Sequence, residues 1–292
     1  MSLFEKIKKF ELDRSSGASQ LARKALSVLI FYAQTSKKKK YRSFVEDFKE
    51  IGKKLLAAKP NMASVQNLVA QIVYEVDTLN EHDLVSVQNF VIQRIEELRK
   101  ESELAVKKSA EWGASIIADS DILATCSYSS TVGETLKVAK QQGKSFKIFI
   151  AESRTKDDKF LYGKVLAKFL KAIKIPAEVF PDDEIYRYVP MTNYVLVGAD
   201  SFFGDGSIIN GAPTHEVALV ANQCGLPFYA VCESIKANAL SRTGKNSELK
   251  EGFDFVPSGL ITGIMTEKGI LDANEIVEII KEKSKFYESL IK

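Results

Sequence analysis

Residues 193–236 read NYVLVGADSFFGDGSIINGAPTHEVALVANQCGLPFYAVCESIK, and the order of apolar runs and turn residues in this stretch decides the architecture of the chain. Tyr194–Val197 is short, β-branched and closed by Gly198, which predicts a buried strand. Asp200 follows beyond the strand's carboxyl end, where open α/β sheets bind ligands. It either closes the loop as a cap or works in such a crevice. Asp205-Gly206 marks the turn of a small hairpin. Pro213 suits the first turn of a helix reaching about Gln223, which Gly225 and Pro227 stop. Leu226–Cys232 is a second buried strand. A strand, a tip carboxylate, a helix and a parallel strand make half of a nucleotide- or sugar-phosphate-type unit.

The same rhythm extends in both directions. Upstream, the expected order is a strand at Asp121–Thr125, a helix at Val132–Gln142, and a strand at Phe146–Ala151, apolar on both faces as buried parallel strands are. A helix at Tyr162–Ile173, a strand at Ala177–Phe180 and a helical turn at Asp182–Tyr188 follow. Downstream come strands at Phe253–Phe255 and Gly263–Thr266 and a helix from Ala273 to about Leu290. Such alternation predicts a doubly wound parallel sheet.

Before about Trp112 the period is helical throughout. Ser16 is placed to cap a helix bearing Leu21, Ala25, Val28, Leu29 and Tyr32. Lys37–Lys40 reads as a solvated turn. Phe44–Leu56 forms the next helix, and Asn61 caps another with Met62, Val65, Leu68, Val69 and Ile72 on one side. A long helix from about His82 to Trp112 runs through Leu84, Val91, Ile95, Leu98 and Ala105; His82, among Asn80, Glu81 and Asp83, reads as a surface position. The expected fold class is α/β, a doubly wound parallel sheet preceded by an all-helical N-terminal domain, with residues 1–112 helical and 113–292 α/β.

Composition narrows the function classes. With 41 Lys and Arg against 38 Asp and Glu, the net charge of +3 makes no case for nucleic acid as a direct partner. Cys126, Cys224 and Cys232 have no paired spacing, which argues against a disulfide framework or a zinc site; Cys224 and Cys232 read as inert core residues. The opening MSLFEKIKKFELD is amphipathic without a signal peptide's apolar centre, and no apolar run reaches the roughly 18 residues that span a bilayer. A cytoplasmic protein with no membrane contact is expected. GxGxxG, Walker, HExxH and GxSxG motifs are all missing from the sequence, so dinucleotide binding and NTP hydrolysis have no support, and no metal or cofactor is expected.

Four segments place polar groups beyond expected strand ends. Thr125–Thr131 reads TCSYSST and precedes a helix; the hydroxyls of Ser127, Ser129 and Ser130 with the free helix amides form either a plain cap or a phosphate seat. Arg154, after the second strand, has a guanidinium fork suited to phosphate. Asp200 follows the fourth strand, and Glu233 and Lys236 follow the fifth. Together these describe a pocket with a thiol, two carboxylates and two cations, matched to a small phosphorylated ligand.

VLVGAD, the hairpin DGSIIN and the closing PSGLITGIMTEKGIL, with SSGASQLARKAL and KPNMASVQNL in the helical half, resemble the initiation factor 2B alpha/beta/delta superfamily, which also contains methylthioribose-1-phosphate isomerase and ribose-1,5-bisphosphate isomerase. The likeness runs from about residue 14 to 271. It implies a helical amino-terminal domain on a Rossmann-like carboxyl domain, a homodimer formed through the latter, and possible initiation-factor partners. In the isomerases it implies a Cys after a Thr-His pair and the Asp of the GAD motif as catalytic groups. Asp200 fits the second. Aligned on Thr125, Cys126 falls at the His position and Ser127 at the thiol position. The isomerases' Lys after the hairpin Asn is here Gly211, following Asn210. Their Arg-Gly pair is Ser16-Gly17, with Arg14 displaced by two, while Tyr128-Ser129 resembles the non-catalytic subunits.

Two readings follow. The favoured one is a non-catalytic regulatory-subunit-like protein whose pocket senses a phosphorylated sugar or nucleoside monophosphate, with Arg14, Ser127, Ser129, Ser130, Arg154, Asn210 and Lys236 as binding residues. The alternative is an aldose–ketose isomerase on a ribose phosphate, with Asp200 and Cys126 as the acid/base pair. A structural subunit with a vestigial pocket is a third.

Overall fold

The computed structural model describes residues 2–14, 16–81, 83–157, 159–240, 248–287 and 290; His82 lies outside them. Five helices come first: α1 (Leu3–Glu11), α2 (Ala18–Thr35), α3 (Tyr41–Ala58), α4 (Ala63–Asp77) and α5 (Leu84–Ser115). Their apolar stripes meet in one core in which Leu21, Leu26, Phe44, Phe48, Leu55, Ile72 and Ile95 are fully buried. Each such side chain removed from water is worth about 1.5–3 kcal/mol, and Tyr32, Phe44 and Phe48 add stacked ring contacts. Ser16 does not cap α2. Its hydroxyl and amide bond to Asp13, and Gly17 takes the cap position without a side-chain bond. Asn61 likewise turns its side chain to Lys250 and Glu248 rather than to α4. α5 begins on an Asp83 cap and runs past the expected change of rhythm at Trp112. Its first half packs into the helical core through Val87–Leu98, while Ala114 enters the core under the sheet.

The rest of the chain alternates: β1 (Ile122–Cys126), α6 (Ser130–Gln141), β2 (Lys147–Ala151), α7 (Tyr162–Ala172), β3 (Ala177–Phe180), α8 (Ile185–Tyr188), β4 (Tyr194–Val197), β5 (Ser201–Phe202), β6 (Ile208–Gly211), α9 (Thr214–Gln223), β7 (Phe228–Val231), β8 (Phe253–Val256), β9 (Gly263–Thr266), β10 (Gly269–Ile270) and α10 (Ala273–Ser284). The main sheet has the order β10-β9-β7-β4-β1-β2-β3, parallel except for β10. The order reverses between β1 and β4, the switch point at which doubly wound sheets open a crevice beyond their carboxyl ends. The α/β reading with helices first therefore holds. β8 differs from expectation: it pairs with β6 in a separate three-stranded antiparallel sheet, β5-β6-β8, because the hairpin at Asp205-Gly206 leaves β6 with an open edge.

Side chains of the main sheet alternate between two cores, as the period of two requires. Ala124, Cys126, Val195, Val197 and Ala230 face α9 and α10. Leu123, Ile148, Ile150 and Leu196 face α6, α7 and the end of α5. Cys232 is buried, but Cys224 is exposed at the end of α9 and is no core residue. Among the described residues, no helix is long and apolar enough to cross a membrane.

Candidate functional site

The tips of β1, β2, β4 and β7 converge on the switch point, and the amino end of α2 closes over them. A Cβ on Gly17 would lie 3.2 Å from Ser130 Oγ, so the first turns of α2 and α6 face each other. Ser19 and Thr131, the second residues of these helices, both give their hydroxyl protons to Glu233, at 2.9 and 2.8 Å. Glu233 thus occupies the junction of two positive helix ends. Lys236 Nζ completes the junction at 3.2 Å from Glu233, both side chains being almost fully enclosed. Burial works against each charge. The ammonium and the two hydroxyls nevertheless hold the Glu233 carboxyl below its ordinary range, while Glu233, Cys232 and Asp200 hold the Lys236 ammonium above its own. Read from sequence as a cation for phosphate, Lys236 instead spends its charge inside the protein, because Glu233 sits one helical turn away in the same enclosure.

Asp200 stands beside this pair, half-buried. Its backbone is fixed on both sides, the amide donating to Ile209 O and the carbonyl accepting from Ala63 N at the start of α4. Among the described residues nothing donates a hydrogen bond to its carboxylate. Burial pushes the carboxyl up to about 6, with Glu233 adding and Lys236 opposing, which places its titration close to neutrality. Tyr162, the first residue of α7, lies between Asp200 and Arg14: burial raises its phenol, Arg14 opposes, and Asp200 and Asp157 add. Arg14 itself is well exposed and 3.9 Å from Asp157.

Cys126, at the end of β1, belongs to a different network. Thr214, at the start of α9, donates its only hydroxyl proton to Gly211 O at 2.6 Å and accepts from Asn210 Nδ2 at 2.9 Å. The 3.1 Å contact between Cys126 Sγ and Thr214 Oγ1 must then use the thiol's proton, since the hydroxyl has none left. Burial pushes the thiol up to about 12, and the carboxylates of Asp254 and Asp182 add to this. Cys126 is a closed, neutral S–H donor. It makes no hydrogen bond to Asp200.

Ser127 turns away from the strand with φ 61° and donates its amide to Ser153 Oγ at 2.6 Å. A Cβ on Gly211 would lie 2.4 Å from Ser127 Oγ, so a side chain at 211 requires that hydroxyl to move. The serine fills the space that a larger residue at 211 would need. Ser129 caps α6 by accepting from Val132 N, and it crowds Gly198, whose Cβ would meet Ser129 Oγ at 2.4 Å. Arg154 donates Nε to Glu152 at 2.8 Å, and its amide with that of Ser153 holds the Asp182 carboxylate at 2.8 Å each. Burial nonetheless leaves the Asp182 carboxyl above its ordinary range.

The tip residues read from the sequence are thus gathered at one crevice in three groups: Asp200 with Glu233 and Lys236, Cys126 with Asn210, and Ser127 beside Arg154, with Ser129 and Ser130 opening α6. Ser19, Thr131, Tyr162 and Thr214 were not legible, since nothing local marks a hydroxyl whose partner lies up to 214 residues away. The described residues contain no cluster of His, Cys, Asp and Glu able to hold a metal ion.

Residues 14–252 match the Initiation factor 2 subunit family. The chain is 33% identical over 272 residues to the putative translation initiation factor eIF-2B subunit 2-like of Pyrococcus furiosus, covering 89% of this chain and 92% of that one. It is 29% identical over 305 residues to ribose 1,5-bisphosphate isomerase of the same organism, covering 96% and 92%. The crystal structure of the Pyrococcus horikoshii OT3 translation initiation factor eIF-2B superposes with a TM-score of 0.80 at 27% identity, covering 92% of this chain and 96% of that one.

Proposed function

We propose, on the premise that the chain belongs to the Initiation factor 2 subunit family, that its strand-tip crevice binds a phosphorylated sugar or nucleoside monophosphate as a signal and does not convert it. The phosphate is assigned to the first turn of α6, at Ser129 and Ser130, where helix amides favour an anion, with Arg14 and Arg154 from the two sides. Asn210 and Ser127 then face the body of the ligand, and Lys236 acts through Asp200 rather than on the ligand.

One observation carries this reading: the Cys126 proton is committed to Thr214 in a buried site. A thiol held neutral is neither a nucleophile nor a proton acceptor. The second reading, isomerisation of a ribose phosphate, is favoured by Asp200, whose carboxyl at about 6 is suited to moving a proton near neutral pH. Cys126 would then be the acid, and its buried surroundings resist release of the proton.

Calorimetric titration with ribose 5-phosphate and with adenosine monophosphate tests the binding. Wild type is expected to bind at least one class, and Arg154→Ala to weaken it about tenfold, the equivalent of about 1.4 kcal/mol. Binding of neither, or binding that Arg154→Ala leaves intact, would sink the reading. We further propose a cytoplasmic homodimer formed through the carboxyl half, where Phe255, Ile270 and Val277 are exposed and two-fold closure is the commonest arrangement. A monomer mass by light scattering at micromolar concentration would reject the dimer.

A further inference from the structure

Away from the strand tips, a groove of 270 Å³ runs between α2 and α5, lined by Ser16, Gln20, Arg23, Lys24, Ser27 and Arg99. Three of these six are cations on two helices. Their acidic neighbours use only part of each guanidinium fork. Glu103 stands 3.9 Å from Arg23 Nε, and Glu96 contacts only Nη1 of Arg99; both carboxylates are about half exposed. Lys24 pairs closely with Asp13, and Arg99 Nη1 lies 3.0 Å from Glu96. Arg23 gives Nη1 to the Ser102 hydroxyl. Burial lowers the Arg23 guanidinium from its ordinary value, the carboxylates of Glu103 and Glu233 oppose this, and the like charge of Arg99 adds to it. Arg99 Nε is shut off from water and has no hydrogen-bond partner among the described residues. A buried guanidinium N–H without a partner is rare, and two guanidinium groups facing one groove repel unless an anion lies between them.

We infer that this groove is a second anion site, taking the phosphate monoester of a small phosphorylated metabolite between the forks of Arg23 and Arg99, with Lys24 at its edge. Two planar forks meet the tetrahedral oxygens of a phosphate with paired, charge-assisted hydrogen bonds. A slight rotation of Arg99 brings its unused Nε–H to the ligand. Gln20, on the same wall, is positioned for the polar body of the metabolite. The site shares no residue with those assigned to the strand-tip crevice and does not depend on that reading.

Calorimetry with inorganic phosphate and with ribose 5-phosphate, in an Arg154→Ala background that weakens the strand-tip crevice, tests the site. The expected result is binding of both, with ribose 5-phosphate at least as tight as inorganic phosphate. Arg99→Gln and Arg23→Gln should each weaken it about tenfold or more, and Arg99→Lys should weaken it less. Arg99 lies on the rim and its replacement should leave the thermal unfolding transition in place; should Arg23→Gln fail to fold, Arg99→Gln and Lys24→Gln decide. Absence of binding, binding of inorganic phosphate alone, or binding that Arg99→Gln leaves unchanged would overturn the inference.

Discussion

Asp200 is half-buried and Cys126 fully buried, and burial drives them to opposite uses. The carboxyl at about 6 sits at the edge of neutrality, while the thiol at about 12 is a fixed proton donor to Thr214. The stability consequence for Asp200 has a definite sign. Its folded carboxyl titrates higher than the ordinary value of 3.8, so the native state holds a proton that the unfolded chain releases. That contribution favours folding below pH 3.8, fades as pH rises, and is gone above about 6. Asp200→Asn removes the burial penalty, so it should stabilise the protein at neutral pH by about 1–3 kcal/mol and change little under acid conditions. Urea unfolding across pH checks this, and a variant less stable than wild type at neutral pH would contradict it. At this scale the sequence marks Asp200 and Cys126 as candidates without their environment. Asp200 was legible because it directly follows a β-branched strand ending in Gly198. The commitment of the Cys126 proton was not, because it is set by Thr214 and Asn210, which reach β1 only when α9 and β6 fold against it.

Among the elements, the facing first turns of α2 and α6 join the helical and sheet parts through a single carboxylate. Their second residues, Ser19 and Thr131, share the Glu233 carboxylate, and Lys236 neutralises it within the same enclosure. Removing one charge leaves the other buried and unpaired, so Glu233→Gln should cost about 3–5 kcal/mol, while the double change Glu233→Gln/Lys236→Met should restore much of that. The depressed Glu233 carboxyl stabilises the fold above its unfolded pKa, a contribution lost as acid drives pH down through the folded value. Chemical unfolding of the single and double variants measures this; a single change costing under about 1 kcal/mol, the worth of an exposed pair, would refute the buried-pair account. The strands themselves were legible, since continuous apolar runs such as Ile148–Ala151 and Tyr194–Val197 have few alternatives to a parallel sheet. Helix caps were less so. Ser16 and Asn61 both have cap-forming side chains, but Asp13 and Lys250 offered them better partners.

Across the whole molecule, the helical part is tied down where the strands end. Asn67 on α4 donates to Ile235 O and Ala237 O and accepts from the Tyr287 hydroxyl. Ser201 reaches Asn61 O, and Ala63 N bonds the carbonyl of Asp200 itself. The position of Asp200 at the strand tips therefore depends on α4. None of these ties is visible from local pattern. The change from helical to alternating rhythm was visible near Trp112, whereas the continuation of α5 beneath the sheet depends on Ala110 and Ala114 being small enough to pack closely there. The central claim is that the crevice binds without turnover. Phosphorus and proton NMR of ribose-1,5-bisphosphate with purified wild type measures binding and conversion in one sample. The account predicts shifted or broadened ligand signals, no ketose product, and the same spectra with Cys126→Ser. Ketose formation by wild type, abolished in Cys126→Ser, would contradict it.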